Sequence, residues 1–187
     1  MREQYEGYPW VVYSLDRDYR IVWCNETWDK FAAANGAPDL RGDTQIGRSV
    51  FDTISFDLQP FYRKLFGLVI LYGRDAEHVY ECSSPEQQRL FHMRVLRDGT
   101  ELLLVNSLVV ASPHSANRST AGAEYRASDS GIRMCSHCRR THNPVSDRWE
   151  WVSRFVQVMP AQTSYVLCDF CRAYHYPSQR VVPTPQR

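Results

Sequence analysis

Six cysteines stand in this chain, and four of them form a pattern that could do chemistry. Cys135 and Cys138 make one C-x2-C pair, and Cys168 and Cys171 make a second, with residues 139 to 167 between them. A C-x2-C turn presents two thiolates to one point, and two such turns complete a tetrahedral four-thiolate shell of the kind structural zinc takes. The gap exceeds that of a short zinc ribbon. It holds Trp149, Trp151, Val152, Phe155 and Val156, enough for a small element packed beside the metal. A module of this size buries little core, so zinc would supply much of its folding free energy. An iron–sulfur cluster uses the same four ligands, and spacing alone leaves that choice open. A thioredoxin-like redox pair is disfavoured, because no βαβ pattern surrounds either motif. His137, His142 and His175 lie nearby, but four thiolates already fill the shell. They are read as surface or supporting residues. Arg139, Arg140 and Arg172 follow the two pairs and would offset the net charge of a four-thiolate zinc.

Other catalytic patterns are missing from the sequence. There is no Gly-rich phosphate loop, no nucleophile elbow and no HExxH. A catalytic zinc needs an open coordination position, which four cysteines do not leave. The expectation is therefore a protein that is not an enzyme, with no catalytic residue assigned.

The elements that must hold this site divide the chain in two. Residues 1–111 carry 12 Lys/Arg against 16 Asp/Glu, a net of −4, and residues 112–187 carry 10 against 5, a net of +5. Four thiolates and one Zn²⁺ would lower the second figure to about +3. That weakens a nucleic-acid reading and leaves a protein partner ahead. Residues 112–131 are small and polar without apolar periodicity, the composition of a flexible linker. Residues 132–176 form the four-cysteine zinc module, and 177–187 read as a disordered tail.

Within 1–111 the pattern is α+β. Val11 to Leu15 and Tyr19 to Cys24 form a hairpin around Asp16-Arg17-Asp18. Asn25 is placed to cap a helix from Glu26 to Ala34, and Asn35-Gly36 ends it. Val50 to Ile54 is a short helix. Pro60 to Tyr72 is a longer one, with Phe61, Leu65, Leu68 and Tyr72 on one stripe, closed by Gly73. His78–Cys82, Gln88–Leu96 and Leu102–Val110 are three antiparallel strands, the last two joined at Asp98-Gly99. Helices gather on one face of a five-stranded antiparallel sheet.

The stretch from Leu15 to Asn25, with Trp28 and Phe31, then Ile46 to Asp52 and the three closing strands, resembles a PAS domain. With Tyr80 to Pro85 and Arg89, and with Met134-Cys135-Ser136-His137-Cys138 and Cys168-Asp169-Phe170-Cys171 downstream, the chain is similar to a group of bacterial PAS proteins. Those carry a C-terminal four-cysteine, zinc-finger-like segment. Arg139-Arg140 departs from the Lys usual after the first pair. The resemblance implies a sensor-like domain ahead of a zinc-ribbon-like module, hence signal transduction through protein–protein interaction.

PAS domains can hold haem, flavin or metabolites between sheet and helices. No His lies on the Pro60–Tyr72 helix and no Cys lies between Cys24 and Cys82, so neither haem by that route nor flavin photochemistry is expected. A cavity there would be lined by Phe51, Phe61, Leu65, Val69, Val105 and Ser107; the expectation is a packed core without ligand. His78 and His92 are read as ordinary strand residues, and Cys24 and Cys82 as small buried ones.

Met1 to Glu6 is polar and no apolar h-region follows. No apolar run approaches the length of a membrane span. The expectations are a cytoplasmic location, no membrane contact, and an unidentified protein partner. With so few residues before the first strand, a homodimer through the PAS-like domain and a monomer are both open. The rival reading is a transcription-related regulator whose basic zinc module contacts nucleic acid.

Overall fold

A computed structural model describes residues 1–114, 120–126 and 131–177. The chain forms two compact units, Met1–His114 and Ser115–Arg187.

The first unit opens with a 3-10 turn, Arg2–Tyr5, and then a hairpin of β1 (Val12–Leu15) and β2 (Ile21–Cys24). Its turn is held by Asp16, whose Oδ1 accepts from Asp18 N–H and Arg20 N–H at 2.9 and 2.8 Å. Helix α1 (Thr27–Ala34), a short α2 (Gly42–Gln45), a 3-10 turn at Val50–Asp52 and α3 (Gln59–Tyr72) follow. Strands β3 (Ala76–Glu81), β4 (Gln87–Asp98) and β5 (Glu101–Pro113) close the unit. Among the described residues the sheet has five strands in the order β2-β1-β5-β4-β3, every pairing antiparallel. This is the α+β, PAS-like arrangement that the resemblance implied.

Alternation places Leu15, Met93, Val95, Leu102 and Leu104 under the helices, against Phe51, Phe66 and Val69. The opposite face is not bare. Val12, Leu96, Leu103 and Val105 are buried there beneath Tyr5, Tyr8 and Trp23. The chain's own first residues cover this face. The Arg2 guanidinium donates to Ser14 Oγ and pairs with Glu101, and Tyr8 and Ser107 share a hydroxyl–hydroxyl hydrogen bond of 2.9 Å.

Three local expectations need correction. Asn25 does not cap α1 with its side chain. It is 2% exposed, and its Oδ1 accepts from Val12 N–H while its Nδ2 donates to Trp10 C=O at 2.9 Å. A carboxamide beside a sheet edge has a donor and an acceptor to offer, and here both serve backbone groups that would otherwise be buried without partners. The buried stripe of α3 is Tyr62, Leu65, Phe66, Val69 and Ile70. Leu68 is 41% and Tyr72 69% exposed. The helix is apolar on nearly every side, so spacing alone offers two stripes. Lastly, Val105 sits on the outer face rather than over α3, and Ser107 bonds to Tyr8 there. Leu65, Phe66 and Val69 of α3 pack there with Met93, Val95, Leu102 and Leu104 of the sheet. The helix ends agree with the sequence reading. Gly36 has φ 74°, with Ala37 N–H bonded to Ala32 C=O and Gly36 N–H to Ala33 C=O, a Schellman closure.

The second unit has a four-stranded sheet among the described residues, ordered β8-β7-β6-β9. It comprises β6 (Ile132–Cys135), β7 (Thr141–Asn143), β8 (Arg148–Glu150) and β9 (Thr163–Val166), with helices α4 (Ser153–Gln157) and α5 (Asp169–His175). Strands β6 and β9 are parallel, with Cys135 opposite Val166. Ile132, Met134, Thr141, Val152 and Leu167 are buried within it.

The segment 112–131 includes more than a connection. β5 runs on to Pro113, and Ala123–Tyr125 forms a 3-10 turn. Tyr125 is 2% exposed, packs edge-on against Phe155 at 5.8 Å and donates its hydroxyl proton to Glu150. The rest of the expected linker, 115–119 and 127–130, and the tail from 178 onward lie outside the described residues. No helix of the described residues is long and apolar enough to cross a membrane.

Candidate metal centre

The two C-x2-C motifs meet. The Sγ atoms of Cys135, Cys138, Cys168 and Cys171 all lie within 4.8 Å of one another, and all four residues are buried. Different elements deliver them. Cys135 ends β6, and the chain turns so that Cys138 comes back beside it. Arg139 N–H bonds to Cys135 C=O at 3.1 Å, and Cys135 N–H to Arg140 C=O at 2.7 Å. Arg139 takes the left-handed conformation, φ 61°, which costs about 1 kcal/mol for a side-chain-bearing residue and sends the chain back as β7.

Cys168 stands at the N-cap of α5, where its Sγ accepts from Cys171 N–H at 3.5 Å. The ladder between β6 and β9 sets these two turns side by side, and Cys168 N–H donates to Cys135 Sγ at 3.4 Å. These amides stabilise negative sulfur and hold the thiolates in place.

Geometry and electrostatics fit a tetrahedral metal. With Zn–S bonds near 2.3 Å the edge of the sulfur tetrahedron is about 3.8 Å. Cys138 Sγ and Cys168 Sγ are 3.9 Å apart. Without a cation the four thiols are strongly unequal. Hydrogen bonds from Cys138, Cys168 and Cys171 push Cys135 far down; Cys168 is raised by its bond with Cys135 but lowered by those with Cys138 and Cys171, and ends lowered. Hydrogen bonding to Cys135, with burial behind it, pushes Cys138 and Cys171 far up. Four thiols in one buried pocket cannot all ionise against one another. A divalent cation removes that conflict and makes all four acceptable as thiolates.

The group of close candidate ligands holds the four cysteines and none of the neighbouring histidines. His142 Nε2 meets Asp147 Oδ1 at 2.9 Å, on the sheet rather than at the sulfurs. His137 and His175 pack ring to ring at 4.6 Å, with His175 only 4% exposed. The guanidinium of Arg139 lies over the Tyr165 ring, 5.5 Å from its centre. The backbone amides of Cys168 and Cys171 reach sulfur. Tyr125 was missed as a part of this unit. A single aromatic inside a polar stretch was the signal available.

The remaining cysteines, Cys24 and Cys82, belong to the first unit. Cys24 has its thiol pushed up to about 12 by burial and by the Asp29 carboxylate. It lines a shallow depression of about 370 Å³ with Glu26, Asp29 and Asp43. His78 packs on Phe61 at 4.6 Å, and His92 Nε2 lies 3.2 Å from Glu77.

No family model matches this chain, and no curated protein matches it. Solved structures do. A domain of an HTR-like protein from Haloarcula marismortui is 14% identical, with a TM-score of 0.40, over 54% of this chain and 97% of that one. The PAS domain of Bordetella pertussis BvgS is 15% identical, with a TM-score of 0.35, over 62% of this chain and 85% of that one. By its own sheet order and its gathered thiols, the chain is a PAS-like α+β unit followed by a module that brings four cysteines to one point.

Proposed function

We propose that this is a non-enzymatic signalling or regulatory protein. The PAS-like unit senses or mediates interaction, and the four-cysteine module, built on structural zinc, offers a surface to a partner protein. The observation that carries the reading is the buried quartet of Sγ atoms within 4.8 Å. Four thiolates saturate a tetrahedral zinc, so the metal's role is to fold the module rather than to bind substrate. Ligands Cys135, Cys138, Cys168 and Cys171 hold the ion.

Elemental analysis of protein purified without chelator tests the metal, with one zinc per chain expected. Iron together with acid-labile sulfide would replace zinc by a cluster, and neither metal would overturn the centre. Capture of partners by the intact chain and by Cys168→Ser tests the role: loss of a defined partner from the variant supports it, and equal capture contradicts it.

A second reading is supported by one observation. Every Lys/Arg position from 112 to 187 is arginine, and Phe170 and Tyr174, four residues apart on α5, are 78% and 46% exposed. Arginine and open aromatic rings suit phosphates and bases. Binding of single-stranded nucleic acid that weakens steeply with salt would favour it. No binding at low salt would sink it.

A further inference from the structure

A row of side chains crosses the inner face of the second unit's sheet. Glu150 of β8 stands opposite Thr141 of β7, and Thr141 stands opposite Met134 of β6, the residue before Cys135. Residues paired in this way share a face, so the three side chains lie on one side. The turn Ala123–Tyr125 packs against β7. Tyr125 donates its hydroxyl proton to Glu150, at the end of the row, and its ring meets Phe155 of α4 edge-on at 5.8 Å.

Thr141, in the middle of the row, is 0% exposed, and its Oγ1 has no hydrogen-bond partner among the described residues. A buried hydroxyl without a partner destabilises the state that buries it. Water supplies the missing bond as soon as the cover lifts. The backbone bonds of that cover close on itself, Tyr125 N–H to Gly122 C=O at 3.5 Å and Arg126 N–H to Ala123 C=O at 3.0 Å. Tyr125 fastens it to β8 and α4. A short segment held through one side chain, over a face that gains a hydrogen bond when wetted, has an open state of low free energy.

We propose that the Ala123–Tyr125 turn is a lid on the second unit, which opens locally while the sheet stays folded, and whose opening sets how fast a metal leaves the four cysteines. Open, the lid admits water to Thr141 and Met134 and loosens the β7–β8 hairpin against β6. Strand β6 then loses support next to Cys135. The control of metal release rests on the metal reading above; the lid itself does not.

Hydrogen exchange of the Arg126 amide reads the lid, because its bond to Ala123 C=O closes the turn. Transfer of zinc from the intact chain to a chromogenic chelator reads the cage. Two conservative substitutions move the lid in opposite senses. Tyr125→Phe keeps the ring and loses the bond to Glu150, so exchange and zinc transfer should both quicken about fivefold. Thr141→Val keeps the shape and removes the unpaired hydroxyl, so both should slow by a similar factor. In the wild type, Arg126 should exchange well ahead of the Ile132 and Cys135 amides, which decides the question if a variant fails to fold. Arg126 exchanging together with those sheet amides, or both substitutions shifting it the same way, would overturn the lid. Exchange that shifts as expected while zinc transfer stays constant would overturn its control of the cage. Protein purified without any metal would overturn the metal reading and that control with it, and exchange would still decide the lid.

Discussion

Val12 and Asn25 are joined twice. Asn25 N–H donates to Val12 C=O at 2.9 Å, and Val12 N–H donates back to Asn25 Oδ1 at 3.0 Å. The β1–β2 ladder, regular at Tyr13–Cys24, is thus extended by one rung in which a side chain stands in for backbone. The same carboxamide ties down the segment that covers the outer sheet face, through Tyr5 and Trp10 C=O.

Asn25→Ala should therefore cost about 3 kcal/mol, since it leaves several buried backbone groups without partners. Asn25→Ser separates this bridge from a helix cap. A serine caps as well as asparagine, so a capping role predicts almost no loss. A bridging role predicts a loss close to that of alanine. Urea unfolding, with hydrogen exchange of the β1 amides, measures both.

Cys168→Ser should abolish metal binding and unfold the second unit while the first remains native. The substitution removes one ligand together with the sulfur that caps α5. Structural zinc supplies on the order of 10 kcal/mol to a module of this kind. Metal content and the near-UV signal of Trp149 and Trp151 report the outcome. Lowering the pH should do the same to the wild type, because protons compete with the metal for thiolate.

Phe66→Ala should cost about 3–5 kcal/mol, the range for emptying an aromatic from a packed core. Phe66 is 1% exposed and meets Phe51, Tyr62 and Tyr19. Leu71→Ala on the same helix should change stability by less than about 0.5 kcal/mol, since Leu71 is 76% exposed. Equal effects of the two would overturn the assignment of the buried face.

Cys24 should react slowly with iodoacetamide at neutral pH. Its thiol is raised from 9.0 to about 12, so the reactive thiolate is scarcer by a factor on the order of 100 to 1,000. The stability contribution has a definite sign. The folded state holds the proton more tightly than the unfolded chain, so the contribution is complete below pH 9 and is lost as pH rises toward 12. Cys24→Ala should flatten this alkaline loss in a series of unfolding curves, and an unchanged slope would contradict it.

Gly131→Ala should destabilise the second unit by more than about 1 kcal/mol. Gly131 has φ 71°, and an added Cβ would lie 2.1 Å from Gln162 C=O, the group that accepts from Ile132 N–H. Thermal unfolding of the metal-loaded variant checks this.

The cysteine quartet was legible in the sequence because a C-x2-C spacing leaves little freedom in where its sulfurs can point. The antiparallel strands were legible as well. The alternation of Phe91, Met93 and Val95 against His92 and Arg94 fixes which residues face the helices, and the fold keeps that division. The α3 face was not. Leu65, Leu68 and Tyr72 recur at intervals of three and four just as Tyr62, Phe66 and Val69 do, and only the position of β4 and β5 chooses between the two stripes. Asn25 was misread for a related reason. Its neighbours in sequence suggest a cap, whereas its partners in space, Val12 and Trp10, are more than ten residues away. Tyr125 lay hidden because one ring has no periodicity to reveal it.

The parallel pairing of β6 with β9 has a consequence for how freely this module can vary. The two cysteine turns are aligned by the ladder itself, Cys135 opposite Val166. The β7–β8 hairpin lies outside that alignment, and its tip at residues 144–147 includes Val145, 81% exposed. Residues inserted at the tip would lengthen the module without moving a sulfur. A surface can therefore be grown or remodelled there while the four sulfurs stay together.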